Sequence, residues 1–312
     1  MRAWVGVTDA DWIERLREQG DSLPQANFWN PGGTQSFGAV APGEIFVFKT
    51  KRAFGNSLVG AAVFDAFVFL PIWEAWELFG PSNGVDTLDD FVARVSRLRR
   101  TSEVTPQSQI GCTLLRDVLF FDHPLTTPTD FSENSVRGKR YDLDALNADH
   151  TVLLAAATYS FPGFSADERS VPWALRGRIR GDARLVVPRL GQQSFKAVVA
   201  SNYGHRCAIT GDKVRPVLEA AHIQPVAAGG EHRSDNGLLL RSDMHTLFDR
   251  GYIGVDPGHR LLVSPRLRQE FGNGDFLYAK QGEIIALPER RVDWPALTFL
   301  EWHLSTVFKA TA

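Results

Sequence analysis

Three polar residues with a spacing suited to catalysis lie in the second half of the chain. His222 is followed by Asn236 fourteen residues later and by His245 nine residues after that. Five of the chain's eight histidines fall between His205 and His259. Because the imidazole pKa lies near neutrality, such a cluster favours proton transfer or metal binding. The region is therefore the first candidate for a catalytic centre.

Hydrolysis of a phosphodiester bond is one reaction that these residue types could perform. It needs a base that deprotonates water and a divalent cation that stabilises charge on the phosphate and the leaving oxygen. His222 is suited to the base, and Asn236 could hold it in place through the imidazole or the nearby backbone. His245 is suited to a divalent metal, Mg²⁺ or Mn²⁺. Asp249, four residues further on, shares its helix face and is a second candidate ligand.

The surrounding sequence predicts a strand, a loop and a helix that position these side chains. Residues 217–221 indicate a strand, and residues 228–237 contain Gly, Ser, Asp and Asn in combinations typical of turns. Residues 241–249 predict a helix that is capped by Ser242 or Asp243 and ends at Gly251.

This stretch resembles an HNH nuclease of the ββα-metal fold. The matching positions are Ala221–Ile223, Asn236–Leu238, His245 and Leu247–Gly251. The resemblance implies that His222 is the general base, Asn236 the orienting residue and His245 a metal ligand.

One position departs from the commonest form of the motif. Many such nucleases carry an aspartate directly before the base as a second metal ligand, and here that residue is Ala221. Asp249 or Glu219 could substitute, and the sequence leaves that choice open. Many relatives also bind zinc through pairs of cysteines, whereas this region has Cys207 alone, so we expect no structural zinc.

The first 122 residues predict an α+β unit of mixed short strands and helices around one sheet, in the form of a small barrel. The predicted strands are Trp4–Val7, Ile45–Lys49, Leu58–Phe69 and Ile110–Leu114, and the predicted helices are Ala10–Gln19, Trp73–Phe79 and Leu88–Arg100.

This part of the chain resembles the PUA-like superfamily, which includes the EVE, ASCH, YTH and SRA domains. The resemblance rests on the order of the segments VTDADW, NFWNPGG, PGEIFVFK, LVGAAVF, LPIWEAWELFGPSNGV and IGC. It implies a domain that binds a modified or flipped base in a cleft with aromatic walls, where stacking and the exposed base edge are read.

Four residues are candidates for that base-binding cleft: Phe28, Trp29, Asn30 and Trp73. Trp29 stands in a segment that we predict to be a loop, where helix or strand periodicity gives no reason for a large aromatic side chain. Asn30 either reads a base edge through its amide or only begins a turn. Trp73 belongs either to the cleft or to the core, and we expect the nearby Trp76 to be a core residue.

A basic segment precedes the histidine cluster. Residues 176–215 contain nine basic residues and two acidic ones. Arg176, Arg178 and Arg180 would lie on one side of an extended chain. They are candidates for contacts with the DNA backbone, since phosphate neutralisation dominates polyanion binding. The alternative is an ordinary solvated surface.

Length and composition limit the domain organisation and the location that can be expected. A chain of 312 residues with 44% hydrophobic residues suits two domains. We assign residues 1–150 to the PUA-like domain, 151–190 to a connector with the basic segment, and 191–312 to the HNH domain. Two cysteines argue against a disulfide framework and for a reducing compartment. The absence of a signal core or long apolar run leads us to expect a cytoplasmic protein without a membrane partner.

The combined prediction is an α+β, modification-dependent restriction endonuclease with a PUA-like barrel in front of a metal-dependent HNH domain. Its expected partner is double-stranded DNA that carries a modified base of the 5-methylcytosine type. Two alternatives remain, a modified-DNA binding protein that does not cut and a PUA-like nuclease that acts on RNA. The sequence leaves the number of subunits open, and a homodimer is compatible with it.

Overall fold

The chain forms two compact units, Met1–Ser194 and Phe195–Ala312. The computed structural model describes residues 2–34, 36–100, 103–132, 134–145, 153 and 190–310. Arg176, Arg178 and Arg180, together with most of the predicted connector, lie outside these described residues. Helices and strands occur together in both units, which confirms the α+β class.

The first unit is built on one six-stranded sheet in the order β2-β5-β4-β3-β1-β6. Strands β1 and β3 are parallel, and the other neighbouring strands are antiparallel. The strands are β1 (Arg2–Thr8), β2 (Ser22–Asn30), β3 (Ile45–Thr50), β4 (Ser57–Pro71), β5 (Gln109–Thr126) and β6 (Gly138–Asp142), and the helices are α1 (Ala10–Arg17), α2 (Ile72–Phe79) and α3 (Leu88–Arg99).

Hydrophobic side chains cover both faces of this sheet. Alternate residues of a strand point to opposite faces, and every residue of β3 is buried. Ile45 and Val47 belong to a cluster with Phe121 and Tyr141. Phe46 and Phe48 of β3 belong to a second cluster, which also contains Trp12, Ile13 and Leu16 of α1. A strand buried on both faces reads as a continuous apolar run, which is why its position is predicted correctly.

Two parts of the first unit differ from the prediction. Residues 28–30 are the end of β2 and not a loop, because they pair with residues 111–113 of β5. The predicted strand at Ile110–Leu114 is the start of a much longer one, β5, which reaches Thr126. Strand β6 is not among the predicted strands, and it pairs antiparallel with β1 at the edge of the sheet.

The second unit contains two small antiparallel sheets, β7–β8 and β9–β10. The strands are β7 (Leu218–His222), β8 (Gly237–Arg241), β9 (Ile253–Val255) and β10 (Leu261–Val263). The helices of this part of the chain are α4 (Gln192–Asn202), α5 (Ser242–Asp249), α6 (Pro265–Phe271), α7 (Asp275–Ala279) and α8 (Leu297–Thr306). Helix α4 begins before the unit boundary. Among the helices in the described part of the chain, none combines the length and apolar character needed to cross a membrane.

Candidate active site

The frame of the candidate site is the β7–β8 hairpin together with helix α5. In the register of the two strands, His222 at the end of β7 pairs with Gly237 at the start of β8. Helix α5 begins directly after β8, at Ser242. This is the strand, loop, strand and helix order expected of a ββα unit. The expected helix cap is wrong, since Arg241 is the N-cap residue and no side chain caps the helix.

His222 is held against an aromatic ring. Its imidazole stacks on Phe195, with ring centroids 4.0 Å apart and 12° between the planes. Phe195 itself is fully buried. Burial lowers the pKa of His222 to about 4, and the nearby His232 and His245 add to this shift. At neutral pH the ring is therefore uncharged and able to accept a proton.

Asn236 shapes the loop that follows His222, and its side-chain hydrogen bonds within the described residues go to backbone groups. The side chain is fully buried. Its Oδ1 accepts the backbone N–H of Gln224 at 2.9 Å, and its Nδ2 donates to the carbonyls of Gln224 and Glu231, both at 2.9 Å. Its own carbonyl accepts the N–H of Ile223 at 3.0 Å. Of the two partners considered from the sequence, the asparagine thus binds the backbone and not the imidazole.

His245 lies between two carboxylates. Its Nδ1 is 2.6 Å from Oε2 of Glu219 on β7, and its Nε2 is 3.4 Å from Oδ2 of Asp249, one turn further along α5. A histidine that donates Nδ1–H to a carboxylate keeps its lone pair on Nε2, the tautomer suited to metal binding. Both residues considered as substitutes for the missing aspartate are thus in contact with His245.

This donor set fits a divalent cation that is held by two protein groups. Two neighbouring ligands with bond lengths of about 2.0–2.2 Å lie roughly 3 Å apart, which is close to the separation between His245 Nε2 and Asp249 Oδ2. Burial raises the pKa of Asp249, and the charge of Glu219 acts in the same direction. Within the described residues, no group of three or more His, Cys, Asp or Glu side chains could hold a metal alone. Water and substrate phosphate would have to complete the shell, as is common for Mg²⁺.

Ala221, the position where a ligating aspartate is usual in similar nucleases, is fully buried. It pairs with Leu238 of β8, which is also fully buried. Glu219 lies two residues earlier, on the same face of β7.

The candidate base-binding residues are not all on one face of the sheet. Phe28 contacts Trp12 and Phe46, with ring centroids 5.5 and 4.9 Å apart. Trp29 packs on Phe91 of α3 at 4.9 Å. Neighbouring residues of a strand point to opposite faces, so Phe28 and Trp29 cannot line the same side of β2.

The surroundings of Trp29, Asn30 and Trp73 add little evidence for a common cleft. The indole N–H of Trp29 donates to the carbonyl of Asn83 at 2.9 Å, which ties this ring to the covering helices. Asn30 lies opposite Gly111 of β5, and Trp73 is half-buried on α2. Their role in base binding stays a prediction.

Two contributors to the site carry no signal in the motif. Phe195 precedes the matched positions and could be expected only to be buried on the apolar side of α4. His232 lies between the motif residues, and its Nδ1 is 3.0 Å from Nε2 of His222. Its only signal in the sequence is membership of the histidine cluster.

Comparison with known protein families found a match within the second unit. Residues 207–256 match the HNH endonuclease family, so the chain contains an HNH endonuclease domain. Comparison with curated proteins found no match.

Among solved structures, the chain is similar to ASCH from Zymomonas mobilis at 14% identity, covering 49% of this chain and 94% of that one, with a TM-score of 0.32. It is also similar to the modification-dependent TagI restriction endonuclease at 15% identity, covering 85% of this chain and 61% of that one, with a TM-score of 0.27. Both TM-scores are low.

Proposed function

We propose that the HNH endonuclease domain makes this chain a metal-dependent phosphodiesterase that cuts DNA, with His222 as its general base. The observation that carries the proposal is the ββα unit, in which His222 ends a strand and the helix after the next strand presents His245 between two carboxylates. The match over residues 207–256 covers this unit.

The chemistry divides between His222 and the pair His245 and Asp249. His222 is uncharged at neutral pH and takes the proton of the attacking water. The negative phosphate of a bound substrate raises the basicity of the imidazole, since an opposite charge favours the protonated form. His245 Nε2 and Asp249 would hold a divalent cation, Mg²⁺ or Mn²⁺. When bound, such a cation stabilises charge on the phosphate and the leaving oxygen.

We further propose that the first unit reads a modified base, of the 5-methylcytosine type, and that the whole chain acts in modification-dependent restriction in the cytoplasm. The support is the ordered series of PUA-like segments and a separate folded unit in front of the nuclease. In this proposal double-stranded DNA is the partner, and the arginines at 176, 178 and 180 supply contacts to the backbone.

A cleavage panel tests this function. Purified chain with Mg²⁺ or Mn²⁺ is incubated with matched duplexes that are unmodified or carry 5-methylcytosine, 5-hydroxymethylcytosine or N6-methyladenine, and with an RNA of the same sequence. We expect cleavage of one modified duplex class and little cleavage of the unmodified duplex. Equal cleavage of all DNA duplexes would refute the modification dependence, and cleavage of the RNA alone would favour an RNA-directed nuclease.

A second candidate is a protein that binds modified DNA without cutting it. It is favoured by Ala221, because the usual carboxylate ligand is absent and, among the described residues, His245 and Asp249 are the two direct donors proposed. Calorimetric titration with Mn²⁺ separates the candidates. Binding of one ion that is lost in Asp249→Asn, together with cleavage, supports the nuclease. An absence of metal binding together with an intact modified plasmid after long incubation supports the binder.

A further inference from the structure

His232 is the histidine of this centre to which neither the motif nor the proposed function gives a role. It lies ten residues after His222, in the loop before β8. The rings of His222 and His232 have centroids 5.0 Å apart at an angle of 58°, and both lie against Phe195. Nδ1 of His232 and Nε2 of His222 are 3.0 Å apart, which is the length of a hydrogen bond.

A contact between two imidazole nitrogens requires one proton between them, and the position of that proton decides what His222 can do. If His232 donates, neutral His222 carries its own proton on Nδ1 and has no free lone pair. If His222 donates from Nε2, its Nδ1 keeps a free lone pair. Within the described part of the chain, that Nδ1 has no hydrogen-bond partner. Only the second arrangement leaves a base that water can reach.

We propose that His232 is the positioning residue of the general base. It accepts the Nε2–H of His222, which keeps the Nδ1 lone pair free for water. This inference rests on the proposed nuclease function and names a residue of the same centre.

The water oxygen forms a bond to phosphorus while its proton passes to Nδ1 of His222. The ester P–O bond breaks, its electron pair stays on the leaving oxygen, and that oxygen takes a proton from bulk water. After the product leaves, the proton on Nδ1 of His222 is released to solvent, which balances the proton taken up by the leaving oxygen and restores the free lone pair. His222 keeps its Nε2–H on Nδ1 of His232 throughout. His232 is half-buried, so its own Nε2–H can be donated to water.

Two substitutions test the acceptor that Nδ1 of His232 offers to His222. Asparagine places an oxygen near the former Nδ1, so His232→Asn keeps the acceptor. His232→Ala removes it. The matched control is His123→Asn, an exposed histidine on β5 in the first unit.

The first readout does not depend on cleavage. Long-range ¹H–¹⁵N NMR spectra of the full chain report which nitrogen of His222 carries the proton. We expect the Nε2–H tautomer in the wild type and in His232→Asn, and a mixture of tautomers in His232→Ala. Nδ1–H in the wild type, or an unchanged tautomer in a folded His232→Ala protein, would overturn the assignment.

The second readout is kcat on the DNA that the wild type cuts. We expect a decrease of about 10–100-fold in His232→Ala, by analogy with lost partners of metal-bound histidines, and a smaller decrease in His232→Asn. His123→Asn should match the wild type. If His222→Ala still cuts, the proposed function is wrong about the base. If His222→Ala is inactive while His232→Ala keeps both wild-type kcat and the wild-type tautomer, only the role of His232 is refuted.

Discussion

Glu219 and His245 are 26 residues apart in the sequence and meet in the fold, with Oε2 of the carboxylate 2.6 Å from Nδ1 of the imidazole. The contact joins strand β7 to helix α5, the two elements that carry the proposed base and the proposed metal ligand. It also fixes the proton on Nδ1 and leaves Nε2 for a cation. A carboxylate that the motif does not specify thus supports the metal side of the site.

We expect Glu219→Gln to weaken Mn²⁺ binding by about 10–100-fold, because the ligating imidazole loses the carboxylate that orients it and holds the proton on Nδ1. Calorimetric titration of Mn²⁺ into the full chain measures this. The control is Glu301→Gln on α8, where the side chain is exposed. Wild-type affinity in Glu219→Gln would mean that His245 does not bind the ion through Nε2.

Ala221→Asp should destabilise the second unit and leave metal binding no tighter. The new carboxyl group would be buried between hydrophobic neighbours, at a free-energy cost of roughly 3 kcal/mol. Urea denaturation measures the change, and Ala227→Asp in an exposed part of the loop is the control. A stable Ala221→Asp protein with tighter Mn²⁺ binding would show instead that the wild-type centre lacks a ligand at this position.

Asn236→Ala should lower the free energy of unfolding by about 1–3 kcal/mol, because two carbonyls and one N–H lose their partner inside the protein. Cleavage should also decrease, since the loop after His222 loses its shape. Asn236→Asp keeps the acceptor but turns a carboxylate oxygen toward the two carbonyls, so its effect should be at least as large. Chemical denaturation and cleavage rates are the measurements, with Asn273→Ala as an exposed control. Full stability in Asn236→Ala would contradict the proposed role of these hydrogen bonds.

Stability should decrease as the pH falls from about 6.5 to about 4. Burial lowers the pKa of His205, His222 and His303 to about 4 in the folded chain. Between the two values the unfolded chain binds protons that the folded chain does not, so acid favours unfolding. The buried His303 adds a slope of up to about 1.4 kcal/mol per pH unit, and the partly exposed His205 and His222 each add less.

His303 allows a clean test of this pH dependence. It is buried, stacks on Phe248 with centroids 3.8 Å apart, and donates from Nε2 to the carbonyl of Phe248. In His303→Gln the free energy of unfolding should change less steeply with pH, by about the contribution of one histidine. His123→Gln should leave the slope unchanged. Calorimetric unfolding at a series of pH values measures both. Burial raises the pKa of Asp65 to about 6, so its protonation in acid stabilises the folded chain. This contribution is the same in all variants and cancels when they are compared. An unchanged slope in His303→Gln would refute the assignment.

The ββα unit is predictable from sequence because its determinants are local. Turn residues, an apolar strand and a helix ended by Gly251 lie within about thirty residues, and the motif fixes their order. The end of β2 is not predictable in this way. Pro31, Gly32 and Gly33 indicate a turn, and that signal extends misleadingly over Phe28–Asn30, whose strand state depends on pairing with β5.

The sequence predicts neither strand β6 nor the contact between His232 and His222, and the reasons are related. β6 reads GKRYD, without an alternating pattern, and only Tyr141 in it is buried. Its strand state comes from the edge of β1. His232 reaches His222 through a loop whose path depends on the buried side chain of Asn236. The spacing of the histidines in the sequence does not predict the path of this loop.

The role of His222 is the central claim, and a plasmid cleavage assay tests it most directly. Wild type, His222→Ala and the control His123→Ala are each incubated with modified plasmid and Mg²⁺ or Mn²⁺, with EDTA as a further control. We expect the wild type and His123→Ala to cut, and no cutting in EDTA. In His222→Ala the rate should fall by about 10²–10⁴-fold while DNA binding and folding are retained. Cutting by folded His222→Ala at the wild-type rate, or equal cutting in EDTA, would contradict a metal-dependent centre with His222 as its base.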